Sequence, residues 1–427
     1  MAHLTVRSAY KNLVDRLNKF PQGAPPSELL YKILEILFTA EEAEFVSKLS
    51  IKPFTAERAA RLTNKSIKEA ETILEKLASR GILLDTGIDG KSFYTLPPPM
   101  AGFFEFSMMR IRKDIDQELL AELFYEYLNV EDDFIKELFT NSETKLGRVF
   151  VNEPALVNGN KLTVLDYEKA SEVIKTASHI GVGICYCRHK MEHLGKACDA
   201  PMEICMTFNS VASSLVKHKV ARQVDVKEGT DLLQVAYDKN LVQFGENVRE
   251  KVSFICNCCG CCCEAMLAAK RFGFLNPVHT TNYLPVIEEE KCNGCGKCVE
   301  VCPVEAMSLV SANNPEKPKM KKARLNEEIC LGCGLCIRTC KPEGLKLIER
   351  GQRVITPLNS THRVVMTAIE KGMLQNLIFD SQALWNHRVM AAILGVILKL
   401  PPVKQGLASE QFKSRYLERL LTSYRSN

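Results

Sequence analysis

No apolar run in the 427-residue chain approaches the roughly 20 residues a membrane-spanning helix needs, and the stretch Met390 to Leu398 is too short. No basic-then-apolar leader follows Met1, so export is not expected and the compartment is expected to be reducing cytoplasm. No G-x-G-x-x-G opens a helix after a strand, and no P-loop occurs. A flavin or nicotinamide would therefore bind on a partner. Net charge is only +5, and the stretch Leu384 to Asn427 accounts for it with seven Lys/Arg against two Glu. The balanced remainder argues against a chain that coats nucleic acid. Cysteine is absent from the first 184 and the last 87 residues.

Between those limits cysteine is abundant. Eighteen cysteines crowd into three tracts, so they serve sites and not a disulfide framework spread along the chain. Two tracts repeat one pattern, C-x2-C-x2-C-x3-C. The first is Cys292, Cys295, Cys298 and Cys302, followed by Pro303; the second is Cys330, Cys333, Cys336 and Cys340, with Pro342 two positions on. Three thiolates converge on the corners of a small cube only from a tight loop, and Gly294, Gly296, Gly332 and Gly334 fit such loops. Paired C-x2-C units also make zinc ribbons, but eight cysteines in a duplicated three-plus-one rhythm favour cubanes.

The pattern resembles bacterial two-cluster ferredoxins, in which each cubane takes three thiolates of one run and the last of the other. The resemblance implies that Cys292, Cys295, Cys298 and Cys340 hold one 4Fe-4S cluster and Cys330, Cys333, Cys336 and Cys302 the second. Lys341 stands where the family usually has proline directly after cysteine. It is expected to bend the loop slightly without removing a ligand.

The third tract holds ten thiols: Cys185, Cys187, Cys198, Cys205, Cys256, Cys258, Cys259, Cys261, Cys262 and Cys263. A helix near Tyr167 to Ser178 leads into the β-prone run Ile180 to Ile184 and then Cys185-Tyr-Cys187; a helix near Asp231 to Lys239 leads into Val252 to Ile255 and then Cys256-Asn-Cys258. This reads as a pseudo-repeat whose two strands lie side by side, with both C-x-C ends opening on one site. All ten thiols are candidate metal ligands, enough for one or two further clusters. Zinc and iron-sulfur both remain open, although C-x-C and adjacent cysteines suit closed tetrahedral zinc poorly. Arg188, Lys190 and Lys196 would offset thiolate charge. His189 and His193 are candidate ligands or proton carriers, exposed positions being the commoner case.

The remaining segments carry structure. Residues 4 to 20 pattern as an amphipathic helix before the Pro21 to Pro26 linker. Ser27 to Leu96 reads helix, helix, helix, hairpin, with capping boxes at Thr39–Glu42 and Ser66–Glu69, Gly81 as a C-cap and Asp89-Gly90 as the hairpin turn. That order resembles a winged helix. On its third helix Lys68, Lys76 and Arg80 are matched by Glu69, Glu71 and Glu75, so docking is expected over DNA reading. Phe103, Phe104 and Phe106 are expected in core packing, with helices near Asp114 to Leu128 and Glu131 to Phe139. Pro315 to Arg324 looks like a solvated basic loop, and Phe412 to Leu421 like a basic amphipathic stretch.

The expected class is α+β and multidomain: an N-terminal helix and linker at 1–26, a winged-helix-like domain at 27–98, a helical connector at 99–160, a cysteine-rich α/β domain at 161–285, a dicluster ferredoxin domain at 286–350 and a helical region at 351–427. The segments Ile184–Arg188, Cys198–Cys205 and Cys256–Cys263, set between a winged-helix-like start and a dicluster module, resemble a family of anaerobe iron-sulfur proteins. The resemblance implies two 4Fe-4S clusters with one or two more centrally, redox partner proteins as donor and acceptor, and single-electron transfer through the clusters. Docking through the basic C-terminus to a partner or the inner membrane face is a further expectation. An oxidoreductase with substrate at an open central cluster and a redox-sensing transcription regulator are the competing functions.

Overall fold

The computed structural model describes residues 2–88, 90–156, 164–351, 354, 356–381 and 383–399. The chain forms two units. One holds 1–107, 112–144 and the chain from Ser360 onward; the other holds 108–111 and 145–359. The expected connector is thus divided between them, and every cysteine falls in the second unit.

The first unit is mainly helical. Helix Ala2–Leu17 presents Tyr10, Leu13, Val14 and Leu17 to its core. Four helices follow, Glu28–Leu37, Ala40–Ser47, Ala56–Thr63 and Ile67–Ser79, one more than the sequence pattern suggests. The additional one is the short alanine-rich helix, started by the Thr55 hydroxyl accepting from Arg58 N and ended by Asn64 in the left-handed region. Its brevity hides its period. Both capping boxes form as expected, and Gly81, at φ +73°, closes the last helix with Gly81 N to Ala78 O and Ile82 N to Leu77 O. Strands β1 (Leu84–Ile88) and β2 (Lys91–Thr95) pair antiparallel. Phe103 and Phe104 are fully buried, edge-to-face with one another, in a cluster with Phe38, Phe124 and Phe134. They are core, as expected. Helix Trp385–Lys399 takes in most of the apolar C-terminal run, and the Phe412 to Leu421 stretch lies outside the described residues.

The second unit is built on a six-stranded sheet of β3 (Gly147–Val149), β4 (Ile180–Ile184), β5 (Glu203–Phe208), β6 (Arg222–Val224), β7 (Val242–Glu246) and β8 (Phe254–Cys258), in the order β3-β7-β8-β5-β4-β6. The strands β4 and β8 of the pseudo-repeat are therefore not neighbours. β5, which carries Cys205, lies between them and is antiparallel to both. Both C-x-C segments still lie at one end of the sheet, where β4 and β8 finish. Along each strand the side chains alternate: Val182, Met206 and Ile255 enter a hydrophobic core with helices Ala170–Thr176 and Val226–Asp238, whereas Cys205, Cys256 and Cys258 lie out of phase with that core, toward the opposite face.

Two hairpin-like pairs complete the unit. β9 (Tyr283–Ile287) pairs with β12 (Leu345–Glu349), and β10 (Met307–Ser311) pairs with β11 (Lys321–Leu325). The basic stretch read as a solvated loop thus ends in a strand. Lys322 and Arg324 flank Ala323 on that strand, and Lys322 pairs with Glu289 at 3.1 Å. No helix among the described residues is long and apolar enough to cross a membrane.

Candidate metal centres

The tight loops of the last third bring together the sets that the two-cluster resemblance implies. Cys292, Cys295, Cys298 and Cys340 line one small cavity; Cys302, Cys330, Cys333 and Cys336 line another. Helices Lys297–Glu300 and Leu335–Thr339 each begin after a glycine in the left-handed region and carry Cys298 and Cys336 inward. At Gly294, φ is +70° and a Cβ would stand 2.1 Å from Lys321 O; at Gly332, φ is +69° and a Cβ would stand 2.1 Å from Tyr283 O. No other residue type fits there without moving the backbone opposite. Lys341 leaves Cys340 in the cavity, beside Pro342.

The sulfurs of these loops are prepared for a charged group. Ala306 N donates to Cys302 Sγ at 3.1 Å, and Ala323 N donates to Cys292 Sγ at 3.4 Å. Such bonds stabilise the more negative state of a sulfur and tune a cluster's potential. Burial pushes the Cys298 and Cys330 thiols up to about 11 and Cys333 up to about 12, with neighbouring sulfurs adding to the effect. Without iron to compensate, these groups are protonated thiols.

The ten central thiols divide into four and six. Cys198, Cys259, Cys261 and Cys262 gather their sulfurs within 4.8 Å of one another. Cys262 Sγ lies 3.6 Å from Cys261 Sγ and 3.8 Å from Cys198 Sγ. Hydrogen bonding from Cys262, opposed by burial and helped by Arg188, lowers Cys259 to about 4. Cys261 is exposed, and its thiol is pushed up to about 12 by burial of its sulfur and by the Cys259 charge. The other six, Cys185, Cys187, Cys205, Cys256, Cys258 and Cys263, gather where β4 and β8 end, β5 begins, and helices Tyr186–His193 and Glu264–Arg271 begin. Hydrogen bonds from Cys205 and Cys258 lower Cys256 to about 5, and those from Cys187 and Cys258 lower Cys263 to about 5.

Arg188 is the cation shared by both groups. Its side chain is completely buried, with Nη1 donating to Pro201 O at 3.0 Å and Nη2 to Asn257 O at 2.8 Å. Its Nε is buried and finds no hydrogen-bond partner among the described residues. Burial opposes its charge, but attraction to Cys185, Cys259, Cys205 and Cys258 wins and raises its pKa. A buried guanidinium amid thiols fits a site that carries net negative charge when loaded. Lys190, by contrast, forms a buried ion pair with Glu264 and faces no thiol in that contact. His189 is buried with Nδ1 at 2.7 Å from Met108 O, and its Nε2 lies 3.2 Å from His193 Nε2. The expectation that both histidines are exposed fails at His189. Sequence reading missed this residue's burial because helix Tyr186–His193 has no apolar stripe to signal it.

An open cleft of about 760 Å³ joins the four-thiol group to the last third of the chain. Cys198, Cys259 and Cys261 line it, and so do Cys302 and Pro303 of the first ferredoxin run.

Residues 291–343 match the 4Fe-4S dicluster domain family. No curated protein and no solved structure matches the chain. With two four-thiol cavities inside the matched span and a further four-thiol group beside it, the chain is an iron-sulfur protein of the electron-transfer class carrying 4Fe-4S clusters.

Proposed function

We propose that the chain relays single electrons through three 4Fe-4S centres between partner proteins: two held by the ferredoxin-type thiols and a third by Cys198, Cys259, Cys261 and Cys262. Bound there, each cluster supplies a one-electron couple whose potential follows ligand identity, burial and hydrogen bonds to sulfur. The shared cleft carries this reading, because it sets three of the central thiols beside Cys302, the crossing ligand of the second ferredoxin set. Electron tunnelling requires neighbouring centres, and the shared cleft supports that reading. Arg188 holds the central centre's potential up, and Ala306 N and Ala323 N do the same for the ferredoxin centres.

The helices and hairpin of 27–98 form a winged-helix-like docking module. Lys76 and Arg80, two of three cations on helix Ile67–Ser79 and its cap, both pair with Glu42, at 3.1 and 2.7 Å. This leaves little positive charge for phosphates.

One observation favours a second role: exposed Cys261 opens on the cleft, so a small electrophile has access to the third centre. Redox titration followed by electron paramagnetic resonance tests the relay. Wild type should show three interacting centres, and Cys261→Ser should lose one. If turnover with a disulfide or small electrophile disappears in that variant while electron transfer between proteins persists, the third centre is a substrate site and the relay runs through the two ferredoxin centres alone.

A further inference from the structure

A basic hairpin lies beside the open side of one ferredoxin-type site. Among the ferredoxin-type thiols Cys295 alone is exposed; Cys298, Cys330 and Cys336 are buried and the others half-buried. The hairpin of β10 and β11 covers the same loop. Ala323 lines the cavity with Cys292, Cys295, Cys298 and Cys340, and Lys321 O is the backbone atom that excludes a side chain at Gly294. Side chains alternate along β11, so Lys321 shares the cavity side of the strand with Ala323. Unlike Ala323 it is exposed, where the strand passes the loop of Cys295.

The tip of the hairpin is a built turn. Ser311 pairs with Lys321, Ala312 N donates to Met320 O at 2.9 Å, and Asn314 Oδ1 accepts from Glu316 N at 2.9 Å and Lys317 N at 3.1 Å. Pro315 and Pro318 restrict its backbone further, and Lys317 and Lys319 stand exposed on it. Among the described residues no ion pair engages Lys317, Lys319, Lys321 or, on the cysteine loop, Lys297; Glu288 is taken by Lys291 and Lys346, and Glu289 by Lys322. Exposed Arg324 and Lys341 add to the unpaired cations, which together outnumber the opposing Glu290, Glu300, Glu316 and Glu343.

We propose that the hairpin tip and the Cys295 edge form the docking face for an acidic one-electron carrier protein. The inference rests on the relay reading and names the end of the relay at which an outside partner arrives. Cys302, of the other ferredoxin set, borders the central cleft, so the Cys295 edge is left for exchange with that partner. The carrier loses one electron to the centre or takes one from it; no bond forms or breaks and no proton moves. Charge complementarity steers the encounter and fixes its register, raising association about 10- to 1,000-fold. A lipid surface fits less well, because Ala312 to Lys319 carries no aromatic or large aliphatic side chain to enter a bilayer. Nucleic acid would use the lysines and leave the exposed thiol edge without a purpose.

The test mixes the full chain, purified without oxygen, with a chemically reduced acidic plant-type ferredoxin as the probe. Stopped-flow absorbance reads the second-order rate of electron exchange across an ionic-strength series. The wild-type rate should fall steeply with salt. In the triple variant Lys317→Glu, Lys319→Glu, Lys321→Glu it should drop about tenfold or more at low salt and lose its salt dependence, and the corresponding triple change to Gln should fall between. Iron content and Tm stay near wild type, since all three side chains are exposed. An equal rate and an equal salt slope in wild type and the Glu variant overturn the proposal. So does binding of phosphatidylserine vesicles or duplex DNA that the variant loses while its exchange with ferredoxin is unmoved. Failure of the relay reading appears separately, as wild-type centres that do not couple while salt-steered exchange with ferredoxin is intact.

Discussion

Gly260 lies directly against Pro303: a Cβ at position 260 would stand 2.5 Å from the Pro303 carbonyl oxygen and 2.9 Å from its Cα. The loop of the central four-thiol group and the proline that follows Cys302 thus meet backbone to backbone, with no side chain between them. The approach depends on glycine.

Gly260→Val forces these segments apart. The expected cost is about 1–3 kcal/mol, read as a fall in Tm. The magnetic interaction between the central and ferredoxin centres should weaken while iron content stays near wild type. An unchanged interaction would mean that the contact does not serve the relay.

Gly332→Ala is expected to damage one ferredoxin site selectively. A side chain at φ +69° costs roughly 1–2 kcal/mol, and contact with Tyr283 O adds to it. Iron analysis should show a loss of about four atoms together with one reduced-state signal. Retention of both ferredoxin signals would refute the assignment of this loop.

Arg188→Met removes the cation that faces both central thiol groups. The more oxidised, less negative state then becomes relatively more stable, so the central midpoint potential should fall, on the order of 60 mV or more, a tenfold change for a one-electron couple. Arg188→Lys should recover part of the shift. A potential equal to wild type in Arg188→Met would show that the guanidinium only braces the Pro201 and Asn257 carbonyls.

His279 supplies a pH dependence. Burial, with help from Lys145 and Arg148, lowers its pKa from 6.5 to about 4. The unfolded chain therefore binds the proton first. The stability that neutral His279 contributes is complete above pH 6.5 and is lost as pH falls toward 4, on the order of 1–3 kcal/mol. Denaturant unfolding across that window should show this slope, and His279→Gln should flatten it.

The sequence made the ferredoxin sites readable because their geometry is local. Three cysteines within seven residues, with glycine between them, can close on one cube, and the crossing of Cys302 and Cys340 is what the resemblance to two-cluster ferredoxins implies. The division of the central thiols was hidden because strand register determines it. Cys205 reaches Cys256 only because β5 inserts between β4 and β8, which nothing in either C-x-C segment signals. Adjacent Cys262 and Cys263 go to different groups: the second is the N-cap of helix Glu264–Arg271, and the first belongs to the loop before it. Burial of Arg188 and Lys190 was illegible for a similar reason. Their partners, Asn257 and Glu264, are more than sixty residues distant in sequence.

The most direct test of the relay is electron paramagnetic resonance of the fully reduced chain, prepared anaerobically, with iron and sulfide counted on the same sample. The account predicts about 12 sulfides and a spectrum of three mutually coupled centres that becomes two in Cys261→Ser. A colourless protein without acid-labile sulfide, or centres that titrate and relax independently, would contradict it.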